Sequence, residues 1–335
     1  MPSDRATIAI LYDRPLPGAD ADERERLEVV AAVRTALRAR GLTAVPVALG
    51  ASPQSCLTRL RALRPKAAVN LVEGWRGDPV YEVLGPLLCR AAGVPFSGNP
   101  AHVLALAGAK TQLKEHLLRR GLPTPSWIHS LGDWRSDDAP YLIKSIDSHG
   151  SLGLDRHALV RSPAEAEARL RALRRRHGGN WFLERYAEGR EFHVSLLGDP
   201  VRPRKPPRVL PVAETVFADW PEREPRIVDY RAKWRPTSRA YRKTQRRFLD
   251  QPGDAPLCTA LAHLGRRVWN AVGLESYARL DIREGRDGRL EIIDINPNPS
   301  LHPQAGFVAA ANAVGIDYAR LVVTLLPCTE SNPCA

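Results

Sequence analysis

Two segments decide the reading of this chain, Tyr277-Ala278-Arg279-Leu280-Asp281-Ile282 and Glu291-Ile292-Ile293-Asp294-Ile295-Asn296, with the turn Arg286-Asp287-Gly288 between them. Both are strands by composition, and the turn joins them as a hairpin. Period-two alternation sets Arg279 and Asp281 on one face of the first strand, and Asp294 and Asn296 on one face of the second. Two carboxylates and an amide oxygen then converge, a hard-oxygen donor set suited to Mg2+ with phosphate oxygens and water. Arg279 beside them would neutralise charge on a transferred phosphoryl group. A solvated hairpin ending in the plain turn Asn296-Pro297-Asn298-Pro299 is the competing reading. Ile282, Ile292, Ile293 and Ile295 favour the metal site, because acids in buried strands need partners.

Upstream the chain has an α/β character. Strand-like runs at 7–12, 44–49 and 67–72 alternate with helical runs at 22–40 and 53–63, the rhythm of a small parallel sheet. A helix over 82–92 and a strand over 94–97 close this part. Residues 100–120 read as one helix, 141–145 as a strand, 163–177 as a charged helix and 181–185 as a strand. Between 200 and 248 proline and arginine are dense and the stretch reads as loop, with one short helix near its end. Helix 255–272 then precedes the hairpin. The expected divisions are 1–100, 101–190 and 191–335, with a basic lid loop at about 202–250.

Two further groups carry chemistry. Lys144 ends an apolar strand and is followed by a Gly/Ser loop containing Gly150, Ser151 and Gly153, able to place an ammonium and backbone amides on phosphate. Taken by itself a tight turn is the better explanation, and neither a P-loop nor a dinucleotide-binding glycine motif is present. Trp181-Phe182-Leu183-Glu184-Arg185-Tyr186 leads to Glu191, an apolar strand with two acids seven residues apart, able to meet a purine edge and ribose hydroxyls.

The 335 residues are 44% apolar, enough for two or three packed subdomains, and five scattered cysteines point to a reduced compartment without structural zinc. The apolar run near the amino terminus is too short for a signal sequence, so a cytoplasmic protein with no membrane partner is expected. Of the net charge of +12, residues 202–247 hold fourteen Lys or Arg against five acids, 14 − 5 = +9. That segment admits a polyanion or nucleic-acid binder, but few aromatics interleave the basic residues, and a basic flap over an acidic substrate or polyphosphate ranks above it.

Lys110 on a helix, Lys144 with its loop, Glu184 and Glu191, the run Asp229-Tyr230-Arg231-Ala232-Lys233, and then Arg279, Asp281, Asp294 and Asn296 follow the order seen in ATP-grasp enzymes. From Ala67 onward the chain resembles the D-alanine–D-alanine ligase branch. The resemblance implies an ATP-grasp fold with an N-terminal parallel-sheet domain, a central subdomain and a C-terminal subdomain. It implies Lys110 and Lys144 on the phosphates of ATP, with Gly150, Ser151 and Gly153 in the loop above them. Glu184 and Tyr186 would lie near adenine, and Glu191 on the ribose. Asp281, Asp294 and Asn296 would hold two Mg2+ ions, with Mn2+ as a substitute. Arg279, the lid residue Lys233 and Ser300 form the implied catalytic set, and Glu73, Trp234 and His302 the implied substrate set. Such enzymes make an acyl phosphate that an amine converts to an amide, and a homodimer is common among them. Family members that make the cell-wall dipeptide typically carry two loop serines, a tyrosine after the lid lysine, a glycine after the metal ligands and an N-terminal histidine. Here these positions read Gly150-Ser151, Trp234, Ser300 and Glu73. The expected activity is therefore ligation of a small-molecule carboxylate, such as an amino acid, to an amine in secondary metabolism. Synthesis of D-alanyl-D-alanine is the alternative.

Overall fold

The computed structural model describes residues 6–15, 21–135, 139–146, 152–155, 157–221, 224–228, 237–285 and 287–327, without the side chains of 21–24. Strands β1 (Thr7–Asp13), β2 (Thr43–Leu49) and β3 (Ala67–Leu71) pair in parallel in the order β2-β1-β3. Alternation along β1 sends Ile8 and Ile10 to one face, where they join Val33 and Leu37 of α1 (Ala21–Ala39). Ala9 and Leu11 go to the other, with Cys56 and Leu60 of α2 (Pro53–Leu63) and Leu88 of α3 (Leu84–Ala92). A parallel strand covered on both faces is apolar throughout, which is why this run is uninterrupted. The strand expected over 94–97 is reduced to a single bridge, Ala68 to Phe96, since Pro95 supplies no N–H to a ladder.

The helix expected over 100–120 is two helices, α4 (Ala101–Gly108) and α5 (Lys110–Arg119), because Ala109 between them takes φ −90° and ψ 77°, outside the helical region. The break sets Lys110 in the first turn of α5. Next comes a four-stranded antiparallel sheet in the order β4-β7-β5-β6, made of β4 (Trp127–Ile128), β5 (Tyr141–Ser145), β6 (Leu159–Val160) and β7 (Trp181–Arg185). Ala166, Leu170 and Leu173 of α6 (Pro163–His177) cover one side of it.

The main sheet runs β11-β10-β8-β12-β13, with β9 also paired to β8. Its strands are β8 (Glu191–Leu197), β9 (Arg208–Val209), β10 (Ala213–Phe217), β11 (Thr244–Phe248), β12 (Tyr277–Glu284) and β13 (Leu290–Asn296). This corrects the reading of 202–250 as a loop. β9, β10, the short helix α7 (Arg239–Lys243) and β11 are all built from it. Charge concealed the strands: Glu214 on β10 is clasped by Arg190 at 2.8 Å and Arg247 at 2.5 Å, and an edge strand such as β11 tolerates charged residues. Lys233 and Trp234 lie outside the described residues.

Leu261, Leu264, Val268 and Trp269 of α8 (Ala255–Val272) cover the apolar face of the main sheet, where Phe192, Val194, Leu196, Leu280 and Ile282 are packed. Helices α9 (Gly306–Asn312) and α10 (Tyr318–Thr324) return to the first sheet, with Phe307 and Leu321 sharing a core with Ile8 and Leu37. No helix among the described residues is long and apolar enough to cross a membrane.

Asn99, fully buried, fastens this arrangement. Its Nδ2 donates to the carbonyls of Tyr277, at 2.8 Å, and Pro297, its Oδ1 accepts from the Glu275 amide at 2.8 Å, and its own amide donates to Asn298 Oδ1. Asn99→Ala strands the part-buried Glu275 N–H and two buried carbonyls. It is expected to lower the unfolding free energy by about 2–4 kcal/mol in denaturant titration; a loss under ~0.5 kcal/mol would show that these groups find other partners.

Candidate active site

The main sheet has a polar face opposite α8. Cross-strand pairs share a face, and the register aligns Ala213, His193, Asp281 and Asp294 in one row, with Thr215, Glu191 and Arg283 beside it and Ser195, Arg279 and Asn296 on the other side. A bulge between Asp281 and Ile282 makes this possible. Uninterrupted alternation would put Ile292 on the same face as Asp294. The register shift opposes Asp281 to Asp294 but Ile282 to Ile292, so Ile292 and Ile295 both pack inward while Asp294 faces out. The extra residue is Ile293, only partly buried, in the re-aiming role such bulges have.

Asp281 is the hub of this face. Arg279 grips it with Nε and Nη2, each at 2.8 Å; His193 Nδ1 lies 2.8 Å from Oδ1, and Asn296 Nδ2 donates to Oδ2 at 3.3 Å. Burial alone would raise the Asp281 pKa, but the Arg279 guanidinium and His193 hold it far below the carboxylate range. His193 is itself oriented by Thr215 Oγ1, 2.7 Å from Nε2. Asp294 makes no ion pair within 4 Å among the described residues, and Oδ1 accepts only from the Ile295 amide. An ionised carboxylate, a second acid without a cation clamp and an amide oxygen form a donor set that fits magnesium. Glu191, expected on a ribose, is buried and lies 3.4 Å from Arg283 Nε.

The opposing wall comes from α5 and the four-stranded sheet. Lys144 Nζ is 2.5 Å from Glu184 Oε1 and donates to the Ile293 carbonyl at 3.4 Å. Lys114, one helical turn after Lys110 and therefore on its face, puts Nζ 2.6 Å from Glu184 Oε2 and 2.6 Å from Thr124 Oγ1. Burial opposes charge on both partners, lowering Lys114. Two ammoniums outweigh it at Glu184, which is held below its ordinary range. Lys110, Lys114, Glu184, Ile293 and Asp294 line one cavity, so the two constellations read separately from sequence face a common cleft. Tyr186 supports this wall, its hydroxyl donating to the Arg226 carbonyl at 3.0 Å and its ring lying under Arg283 at 4.9 Å. Gly153, at φ +71°, has Trp181 and Leu173 where a Cβ would sit, so packing demands the glycine. Gly150 and Ser151 are outside the described residues.

A second cavity lies between the first sheet and the loop after β13, lined by Arg26, Asn70, Glu73, Tyr277, Asn298 and Ser300 among others. Arg26 of α1 spans Asp13 and Glu73, the latter at 3.0 Å. Ser300, of the implied catalytic set, and Glu73, of the implied substrate set, line the same cavity. His302 does not line it; its Nε2 faces Glu28 of α1 at 3.4 Å. Sequence reasoning missed Lys114, His193, Thr215 and Arg283. The Lys110–Lys114 spacing and the Glu191-to-Ser195 alternation were the available signals.

The family model described as D-ala D-ala ligase C-terminus matches residues 135–327. A D-alanine–D-alanine ligase of Stutzerimonas stutzeri is 28% identical over 331 residues, covering 97% of this chain and 95% of that protein. An uncharacterized protein of Sinorhizobium fredii, y4sG, is 27% identical over 260 residues, 77% of this chain and 72% of its own length. In fold the chain matches the Bacillus anthracis D-alanine–D-alanine ligase complexed with ATP, with a TM-score of 0.70 at 17% identity over 96% of each chain. It also matches the VanG D-Ala:D-Ser ligase of Enterococcus faecalis, with a TM-score of 0.72 at 14% identity over 96% of this chain and 98% of that one. The chain belongs to the D-alanine–D-alanine ligase family and is an ATP-dependent, carbon–nitrogen bond-forming ligase of ATP-grasp fold.

Proposed function

We propose that the protein joins a small carboxylate, such as an amino acid, to an amine through an acyl phosphate, and that its product is a secondary metabolite rather than the cell-wall dipeptide. The observation that carries the reading is one cavity lined by Lys110, Lys114 and Glu184 together with Asp294, with Lys144 reaching Glu184 and the Ile293 carbonyl and Asp281 and Asn296 on the same sheet face as Asp294. Lys110 and Lys144 would hold the phosphates of ATP, Glu184 and Tyr186 its adenine, and Glu191 its ribose. The substrate carboxylate attacks the γ-phosphorus and ADP leaves; the amine then attacks the acyl carbon, phosphate leaves and the nitrogen loses a proton. Phosphoryl transfer asks for positioning and charge neutralisation more than for covalent help. Asp281, Asp294 and Asn296 would hold magnesium, or manganese in its place, which supplies neutralisation of phosphate charge. Arg279 and Ser300 would act at the reacting groups, Glu73, Trp234 and His302 would meet substrate, and the resemblance assigns Lys233 to a closing lid that excludes water.

Phosphate release from magnesium–ATP across panels of L- and D-amino acids, singly and in pairs, tests this. Release that requires two substrates is expected, with D-alanine alone a poor pair. Silence over the whole panel would count against the ligase reading. Full-length likeness to D-alanine–D-alanine ligases supports synthesis of that dipeptide as the second reading, and vigorous turnover of D-alanine would establish it. A polyanion-binding role for residues 202–247 has less support: Arg202, Lys243 and Arg247 are engaged in ion pairs. A homodimer and a cytoplasmic location remain part of the proposal, by analogy with the family.

A further inference from the structure

One arginine of the basic segment is placed differently from its neighbours. Arg247 turns to the far side of β11 and meets Glu214 at 2.5 Å. Arg246 pairs across the sheet with Thr215, whose hydroxyl touches His193, and so stands on the polar face with Arg279 and Asp281. No carboxylate lies within 4 Å of Arg246 among the described residues. Its Nη2 donates to the Gln304 carbonyl at 3.3 Å, and the guanidinium lies 3.8 Å from where a Cβ on Gly306 would stand. Gln304 belongs to the same loop as Ser300, which lines the second cavity. Arg246 is exposed on this edge strand, and partial desolvation and then the charge of Arg279 lower its pKa. Arg279 is neutralised by Asp281. Arg246 is left as a guanidinium on this face with no carboxylate within 4 Å among the described residues, which an arriving anion can engage.

We infer that Arg246 is a specificity-determining residue which receives an anionic group carried by the substrate in addition to its reacting carboxylate, so that this ligase takes acidic substrates. The inference rests on the proposed reading of the polar face as the reaction site. A guanidinium fork matches a carboxylate or a phosphate in two-point contact, so a dicarboxylic or a phosphorylated amino acid satisfies it.

Calorimetric titration in the presence of magnesium and a non-hydrolysable ATP analogue tests it. Aspartate against asparagine, glutamate against glutamine and O-phosphoserine against serine, as both enantiomers, are titrated into wild type, Arg246→Leu and Arg246→Lys. Wild type is expected to bind the acidic member of at least one pair ~10-fold more tightly than the neutral one. Arg246→Leu erases that preference while nucleotide affinity stays within about twofold, and Arg246→Lys restores part of it, keeping the charge but not the fork. The carboxylate and phosphate pairs distinguish the two sources of the anion. A wild type indifferent within every pair overturns the inference, as does a preference that survives in Arg246→Leu. A ~10-fold loss of nucleotide affinity without loss of substrate preference also overturns it and puts Arg246 on the triphosphate instead. Phosphate release is read separately: a wild type that binds the acidic member but releases no phosphate in any combination sinks the ligase reading and upholds the anion site.

Discussion

Asp294→Asn is expected to reduce magnesium-dependent phosphate release about 100-fold or more, with weakened binding of Mn2+ in direct titration. The substitution keeps the shape of the side chain and removes one negative charge. Its effect is large because the two acids of the site are unequal. Asp281 is already bound by Arg279 through two contacts and by His193, so much of its charge is spent inside the protein. Asp294 has no cation within 4 Å among the described residues and carries the charge a divalent ion would answer. Removing charge that no described cation contacts within 4 Å also relieves repulsion with Asp281, directly opposite in the register. The variant should therefore unfold no earlier than wild type. Phosphate release within about threefold of wild type, in folded protein, would show that the ion is held elsewhere.

Glu184→Leu should cost about 3–5 kcal/mol of unfolding free energy at neutral pH, measured by denaturant titration. Lys114 and Lys144 meet across Glu184 at 2.6 and 2.5 Å, and the Lys114 side chain is only 5% exposed. Without the carboxylate, a buried ammonium is left facing a second one. Adding Lys114→Met to Glu184→Leu should recover much of the loss, because two well-packed apolar residues replace a broken pair. Additive losses in the double variant would mean that the pair is not coupled. The pH dependence has a definite sign. The folded-state pKa of Glu184 is lowered, so its contribution is fully present above the unfolded carboxylate value of about 4.3. It is lost as pH falls through the lower folded value. The gap between wild type and Glu184→Leu should accordingly narrow only in strong acid.

The role of Lys114 shows where a single sequence stops being informative. Lysines four apart on a helix are ordinary surface residues, and only the approach of β7, with Glu184, buries one of them. The basic stretch at 202–250 misled for a related reason: Arg246 and Arg247 are strand residues whose charges go to opposite faces of an edge strand, a distinction invisible until Glu214 and Thr215 are seen beside them. His193 likewise becomes part of the site only through Asp281 on the neighbouring strand.

Local rules of alternation and spacing were enough to find the βαβ rhythm of the first sheet, the Arg279–Asp281 and Asp294–Asn296 faces, and Lys144 and Glu184 at strand ends. These depend on the period of the chain itself, which a sequence carries in full. What only the tertiary structure decided are the partnerships: the bulge that lets Ile292 pack inward beside an outward Asp294, the break at Ala109 that starts α5 at Lys110, the burial of Lys114, and the pairing of Arg247 with Glu214 while Arg246 stands beside Thr215. Each depends on residues far apart in the chain, and their register and burial are set by packing between elements, which no local period records.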